Sequence, residues 1–497
     1  MATEVASPQQ GALVETRETD EFQELLKQSF KPRTERAATE VENAVNTLVM
    51  QALGDSSLVK NDVLDTLEEM IAQLDKKLSA QMNEILHAPE FQQIESAWRG
   101  LSYLIYHSET DATLKIRVMN VSKMELYRHL KTYPNAAWDQ SGLFKKVYEE
   151  EFGQLGGQPY GCLIGDYYFS HLPVDVQLLR DLSRIAGAAH APFFAAADST
   201  LMGMDTWNEL MNPRDLSKVF DTPEYAGWRS LRDSDDARYV GLCLPRVLAR
   251  VPYGAKSEPV AEFAFEEETD GHKGEKYAWM NAAYAMAANI NRAFKEYGWC
   301  ARIRGVQSGG EVEDLPVHTF PSDDGGVDLK CPTEIAITDR REAELAKAGL
   351  IPLIHRKNTD RAAFIGAQSL FKPKAYQNNP EATASSNLSS RLPYMFAVCR
   401  FAHYLKCIVR DKVGSYYEKE QLHKWLSNWI AEYVDGDPIN STEAAKCRRP
   451  LAGASIKIVE NEENPGYYSA TFELRPHFQL EGMDIGLRLV SRLPVAK

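Results

Sequence analysis

The residue types that could carry chemistry in this chain are present, but not at spacings that make them act together. Gly156-Gly-Gln-Pro-Tyr-Gly161 is glycine-rich, as a phosphate-binding loop must be. It lacks the Gly-x-Gly-x-x-Gly spacing and precedes its predicted strand, whereas a dinucleotide loop follows one. No Gly-x-x-x-x-Gly-Lys-Ser/Thr occurs, so the phosphate cradle and its Mg²⁺-binding hydroxyl are missing. There is no Gly-x-Ser-x-Gly elbow to expose a serine nucleophile. The eleven histidines include no pair four residues apart, so a zinc site has no helical anchor. Asp233-Ser-Asp-Asp236 is acidic enough for a cation, but the glycine of a calcium loop does not follow; a helix cap is the simpler reading. Cys300 and His318 could form a thiol–imidazole pair only if folding joined them. An enzyme reading would therefore have to be built around Asp166 and Asp233–Asp236. No cofactor, metal or catalytic group is expected.

Composition narrows the classes further. Seventy acidic residues against 56 basic ones give a formal charge of −14 over 497 residues. That balance argues against a protein that holds nucleic acid through a basic surface. It suits one that repels its own copies unless specific contacts overcome the repulsion. Seven scattered cysteines without Cys-x-x-Cys are the usage of a reducing compartment. The N-terminus lacks the basic and apolar regions of a secretory signal. No apolar run reaches the ~18 residues needed to span a bilayer, and the chain is read as cytoplasmic, with no membrane insertion.

Residues 1–35 read as a polar leader followed by an amphipathic segment, Asp20 to Phe30. Asp20 can cap that segment, and Phe22, Leu25, Leu26 and Phe30 fall on one helical face. A helix this short is marginal alone. Either it packs on the body, or it lays its apolar face in another protein's groove. Residues 36–110 carry helical stripes: Val63, Leu67, Met70, Ile71, Leu74, Leu78, Met82 and Ile85, then Phe91, Ile94, Trp98, Leu101 and Ile105. They read as the core of a helical hairpin or bundle. Residues 111–388 alternate between strand and helix patterns, which defines a mixed α/β class. Strands are expected at 113–119, 160–165, 192–197, 240–245, 299–304, 327–330, 334–337, 351–354 and 363–365. Helices are expected at 121–132, 139–150, 174–189, 277–297 and 340–347. The first strand–helix–strand unit implies a parallel pair, Asp323-Asp-Gly-Gly326 a hairpin turn, and 374–388 a polar loop. Residues 389–497 hold two long helices, 389–412 and 416–434, and a strand-rich tail.

In that tail, Ile456 and Ile458 flank Lys457, and Tyr468, Ala470, Phe472 and Leu474 alternate with polar residues. This is the period of a strand with one apolar face. Asn464-Pro-Gly466 supplies the turn. A third run, Ile485 to Val490, places Ile485, Leu487 and Leu489 in similar alternation after Gly482. Two strands alone are marginal, and open edges recruit other chains. The tail is either a hairpin docked on its own domain or a donor to a partner.

Several long segments resemble one family. They include Trp98-Arg-Gly-Leu-Ser-Tyr-Leu104, Gly157-Gln-Pro-Tyr-Gly-Cys-Leu-Ile-Gly-Asp-Tyr167, Tyr297-Gly-Trp-Cys-Ala-Arg-Ile-Arg-Gly305, Lys330-Cys-Pro-Thr-Glu-Ile-Ala-Ile-Thr-Asp-Arg-Arg341 and Leu392-Pro-Tyr-Met-Phe-Ala-Val-Cys-Arg-Phe-Ala-His-Tyr-Leu405. Together with Trp228 to Leu242 and Leu315 to Pro321, they are similar to the large subunit of the type VI secretion contractile sheath, the TssC or VipB family. The resemblance runs collinearly from about Asp20 to Pro494. It implies a structural protein with a contractile phage-tail-sheath-like core, an N-terminal helical region and a C-terminal strand-exchange tail. It implies pairing with a small subunit (TssB or VipA) on the N-terminal helices. Six protomers per ring would then stack into a helical tube around an inner tube of Hcp, attached to a baseplate. The AAA+ ATPase ClpV would recycle the contracted sheath by binding Phe22, Leu25, Leu26 and Phe30. Strands bearing Ile456, Ile458, Tyr468, Phe472, Leu474, Ile485, Leu487 and Leu489 would link protomers. A helix bearing Lys419, Glu420, His423 and Lys424 would face the inner tube. A single-chain sheath of a phage-like particle is the rival structural reading.

Overall fold

The computed structural model describes residues 63–212, 215–322, 325–412, 419–460 and 468–479, with Arg36, Thr39, Asn43 and Thr47. Phe22, Leu25, Leu26, Phe30, Ile485, Leu487 and Leu489 lie outside the described residues. The chain divides into two compact units, Met1–Ala88 with Pro252–Glu268, and Pro89–Val251 with Thr269–Lys497.

In the first unit, helix α1 (Val63–Leu86) is tied to segment 252–268 by the side chains of Asp75, which accepts from the Ala264 N–H at 3.4 Å, and Asn83. Asn83 donates to the Glu266 carbonyl at 3.2 Å and accepts from the Glu268 N–H at 2.9 Å. Those bonds satisfy backbone groups that no ladder pairs.

The second unit is built on a sheet. Along the chain come helix α2 (Pro89–Tyr106), α3 (Lys123–Lys131), β1 (Leu163–Phe169), α4 (Pro173–Ala189), β2 (Phe193–Ala197), β3 (Val240–Leu244), β4 (Val247–Leu248), β5 (Trp279–Met280) and α5 (Ala282–Tyr297). Then follow β6 (Glu311–Val312), β7 (His318–Pro321), β8 (Val327–Lys330), α6 (Asp339–Lys347), β9 (Leu350–His355), β10 (Ala362–Phe364), α7 (Pro380–Ser389), α8 (Leu392–Lys412), α9 (Lys419–Ala431), β11 (Leu451–Glu460) and β12 (Tyr468–Pro476).

Six strands form one sheet in the order β1-β2-β3-β9-β10-β6. The first four are parallel, as the strand–helix–strand pattern predicts. Every residue of β2 and β3 is buried, which is why they read as unbroken apolar runs rather than alternations. Their period of two still sorts the side chains. Phe193, Ala195, Val240 and Leu242 join Leu178, Leu179, Leu182 and Ile185 of α4 in one core. Phe194, Cys243 and Ile351 join Met286 and Ile290 of α5 in another. The close fit requires glycine at position 241, where a Cβ would sit 2.9 Å from both Ile351 Cδ1 and Phe194 Cε1. It also requires Gly100 on α2, since a Cβ there would lie 2.3 Å from the Tyr284 ring of α5.

Several expectations fail, for local reasons. Thr113–Met119 has strand alternation but no described strand partner; Lys115 and Arg117 instead reach Gln158 and Glu151 by side chain. Trp299–Arg304 is not a strand, because Gly298 and Gly305 adopt left-handed φ of 77° at either end, and β6 already occupies the edge of β10. Glu334–Ile337 meets β4 only through a bridge from Val247 to neighbouring Thr333. The helix predicted from 277 starts at Ala282, where Asn281 caps it by accepting from the Ala283 N–H at 2.8 Å. The polar stretch 374–388 is not all loop. Asn379 accepts from the Ala382 N–H at 3.0 Å and Pro380 occupies the first turn of α7, a start signal that polar composition hid.

The apolar stripes of the N-terminal helices are core only in part: Met70 is buried and Leu101 packs beside Leu104, but much of each stripe is open. Ile71 and Ile85 of α1 are each 51% exposed, and Ile94 and Trp98 of α2 are 59% and 70% exposed. Periodicity identifies an apolar face without saying what covers it. The face of α2 that is buried carries Gly100 and Leu104.

Candidate functional site

Strands β11 and β12 form a separate two-stranded antiparallel sheet, with Glu460 opposite Tyr468, Ile456 opposite Phe472 and Gly453 opposite Arg475. The predicted alternation holds. Ile456, Phe472 and Leu474 are half-buried and Ile458 is buried, while Ser455, Lys457, Thr471 and Glu473 face solvent. The solvent face adds a cross-strand bond, in which Ser455 donates to Glu473 at 3.0 Å.

The inner face rests on an aromatic platform. Trp299, at the end of α5, and Phe401 of α8 have ring centroids 4.6 Å apart. Trp429 of α9 and Tyr433 lie 5.3 Å apart, and Tyr433 is 5.6 Å from Phe401. Ala454, Ile456, Phe472 and Leu474 pack on this group. Edge-to-face packing of this kind adds roughly 0.5–1.5 kcal/mol per pair beyond buried area. One end of β11 is tied down: the Asp435 N–H donates to the Leu451 carbonyl at 2.9 Å, and the Leu451 N–H to the Tyr433 carbonyl at 3.3 Å. Among the described residues, no strand pairs with the outer edge of β12. The platform was not singled out from sequence, although the i,i+4 spacing of Trp429 and Tyr433 puts both on one helical face.

Helix α9 carries Lys419, Glu420, His423 and Lys424, all exposed, opposite buried Leu426 and Ile430. One of the four is engaged inward, because His423 Nε2 donates to the Ile456 carbonyl at 3.1 Å.

Of the acidic residues in the enzyme reading, Asp233 and Asp235 serve a helix end and an ion pair, while Asp166 faces a cavity. Asp166 lines a cavity of about 1520 Å³. Burial raises its pKa, partly offset by hydrogen bonds from the Asn281 and Tyr284 side chains. On the same wall, Arg246 donates to Glu334 at 3.0 and 2.7 Å. Asp233 is the C-cap of a short helix, Ala226–Arg232, and Asp235 pairs with Arg238 at 3.1 Å. Cys300 packs against the α5 core and burial pushes its thiol up to about 12, whereas His318 bonds with the Tyr277 hydroxyl at 3.0 Å. Among the described residues, no group of three or more acidic, His or Cys side chains could hold a metal ion, and no helix is long and apolar enough to cross a membrane.

Residues 68–371 match the tail sheath N-terminal domain of the EvpB/VC_A0108 (VipB) family, and residues 381–493 match its tail sheath gpW/gp25-like domain. A curated relative, the type VI secretion system sheath protein TssC1 of Pseudomonas aeruginosa strain PAO1, is 64% identical over 482 residues, 97% of each chain. Two solved structures of the anti-feeding prophage are each 10% identical. Its baseplate has a TM-score of 0.34, covering 64% of this chain and 66% of that one; its contracted helical sheath has 0.32, covering 63% and 66%. Likeness at that level carries no inference. The chain belongs to the TssC/VipB family of type VI secretion sheath proteins.

Proposed function

We propose that this chain is the large subunit of a contractile sheath that pairs with a small subunit of the TssB/VipA kind and polymerises into a helical tube around an Hcp inner tube. The observation that carries this is identity of 64% along 97% of both chains with a sheath protein. The sheath grows from a baseplate in the cytoplasm, contracts to drive the inner tube outward, and is dismantled by the ClpV ATPase. The four assigned regions are 1–35 for the ATPase-binding segment, 36–110 for the small-subunit contact, 111–388 for the sheath body and 389–497 for linkage between protomers. Exposed Ile94 and Trp98 on α2 support an apolar partner for the second region, since uncovered apolar faces mark interaction surfaces.

Contraction uses no nucleotide in this chain. Energy is stored in a metastable extended assembly whose interfaces repack, while strands shared between neighbours persist. The β11–β12 pair supplies the register for such sharing, because main-chain bonds give affinity and alternating side chains fix the pairing.

Co-expression with the small subunit, followed by electron microscopy, tests the reading. Tubes of uniform width are expected only when both chains are present. Tubes from this chain alone would favour a single-chain particle sheath. Removing Asp484–Lys497 is expected to leave the heterodimer folded but block long tubes, and tubes of normal length would refute strand sharing. Leu25→Asp with Leu26→Asp is expected to leave tubes intact and abolish capture of ClpV, and normal capture would refute that segment's role.

A further inference from the structure

The chain leaves the strand pair at a fixed point. Just past β12, the Gln479 N–H donates to the Tyr394 hydroxyl at 2.9 Å. The Gln479 side-chain amide donates to the Ala301 carbonyl at 2.8 Å and accepts from Arg304 Nε at 2.8 Å. Three hydrogen bonds thus converge on one residue from two distant parts of the chain. Both holders belong to the body of the sheet. Tyr394 is buried in the first turn of α8. Arg304 is buried too, beside Ile303 of the α5 core, and the next residue, Gly305, donates its N–H to the Phe364 carbonyl of β10 at 2.7 Å. Phe478 is 68% exposed, so polar bonds rather than burial of that ring hold the chain here.

The strand pair is exposed to a pull from that side. Leu451 faces Pro476, so the start of β11 and the end of β12 lie side by side. Leu451 is also where β11 is tied to Tyr433 and Asp435. A pull on the chain beyond β12 would act between these two adjacent ends and meet the ladder one pair at a time. A two-stranded sheet is marginal against such a load. His477 offers little protection. Its N–H donates to the Pro450 carbonyl at 3.2 Å and its Nε2 to the Arg449 carbonyl at 3.0 Å, both on the approach to β11, so these bonds only close the same end. The three bonds of Gln479 bypass the strand pair.

We propose, resting on the reading above that a neighbouring protomer takes up the tail, that Gln479 is a clasp: it passes tension on the tail into the sheet body, so that β11 and β12 keep their register while the tail is pulled. Tension arriving through residues 480–497, which lie outside the described residues, reaches Gln479 before it reaches β12. There it divides between α8 and segment 301–304, each rooted in buried packing. The residue type suits the task. A primary amide brings a donor for Ala301 and an acceptor for Arg304 on one side chain, a pair that a carboxylate or an ammonium cannot supply. Gln479 is in this sense a positioning residue, acting on the strand pair through the chain it fastens.

The full chain is held between two handles, one at Lys497 and one at Gln177, an exposed site on α4. Under steady tension, the time until β12 is released is read as a step in extension. Gln479→Ala removes both side-chain bonds and is expected to shorten that time about ten-fold, as loss of two ordinary hydrogen bonds predicts. Tyr394→Phe keeps the ring, removes the third bond and is expected to shorten it about three-fold. Tyr394→Phe decides alone if Gln479→Ala does not fold. At rest, amide exchange in β11 and β12 is expected to match that of the unaltered chain in both variants. Unchanged release times in the folded variants would overturn the proposal. So would exchange in β11 and β12 about ten-fold faster at rest, since Gln479 would then brace the strand pair itself rather than shield it. No neighbouring protomer is needed, so failure here removes the clasp alone. Tubes of normal length after loss of Asp484–Lys497 would instead remove the pull that the clasp answers.

Discussion

The six-stranded sheet and the C-terminal strand pair solve the same problem of covering a β-surface in opposite ways. The sheet is covered on both faces by helices of its own chain, so Phe194 and Leu242 are fully buried. The strand pair is covered on one face only, and its key side chains Ile456, Phe472 and Leu474 remain half-exposed. The first region is fixed by packing on both faces. The second has just enough burial to hold its register while leaving main-chain groups for another strand.

The sharpest test of that contrast is to damage each core in turn. Phe194→Ala empties a site where the ring stacks on Phe396 at 5.9 Å, and is expected to cost about 3–5 kcal/mol of unfolding free energy in denaturant titrations. Phe401→Ala strikes the platform under the hairpin, also fully buried, and is expected to cost about 3 kcal/mol. Its signature is local: amide exchange should accelerate in β11 and β12 while β2 and β3 stay protected. Uniform acceleration would mean that the two regions unfold as one unit.

Acid probes the joint between α8 and the sheet body. His403 of α8 donates from Nε2 to the Ala189 carbonyl at 2.8 Å and is buried. Burial, reinforced by the nearby cations Arg400 and Lys406 and by His190, lowers its pKa to about 4 against that carbonyl's opposing pull. The unfolded imidazole binds protons from about pH 6.5 downward, so the unfolded state holds more protons between pH 6.5 and 4. Stability contributed by neutral His403 is therefore complete above pH 6.5 and is lost as pH falls through about 4, by an amount on the order of 1–3 kcal/mol. His403→Gln, which keeps a donor for Ala189, should flatten that part of the pH–stability curve.

The smallest change in folding is expected on the strand pair itself. Phe472→Ala, half-exposed, should cost about 1–2 kcal/mol. Yet it should shorten tubes seen by electron microscopy more than Phe194→Ala does at equal residual stability. Lys457→Thr, on the solvent face, should change stability by less than about 0.5 kcal/mol.

The body of the sheet was legible in the sequence because buried parallel strands write unbroken apolar runs, as in Phe193–Ala197 and Val240–Leu244. The strand pair was legible because one-sided burial writes a period of two. The failures share a cause. Thr113–Met119 and Trp299–Arg304 carry strand-like patterns, but a strand exists only where an edge awaits it, and sequence does not disclose edges. The stripes of α1 and α2 show the same gap from the other side, since apolar periodicity names no partner. The aromatic platform draws on the end of α5, the middle of α8 and the end of α9, so no local window contains it.

The antiparallel register of β11 and β12 also has a mechanical meaning. A strand added alongside β12 and pulled along its length would load all of its cross-strand bonds at once, in shear. Pulled sideways, the same bonds would open one after another, like a zipper. In the sheath proposed above, a tube transmitting a sudden axial thrust would be best joined by links of the first kind, and the orientation of this strand pair would decide which kind a neighbour felt.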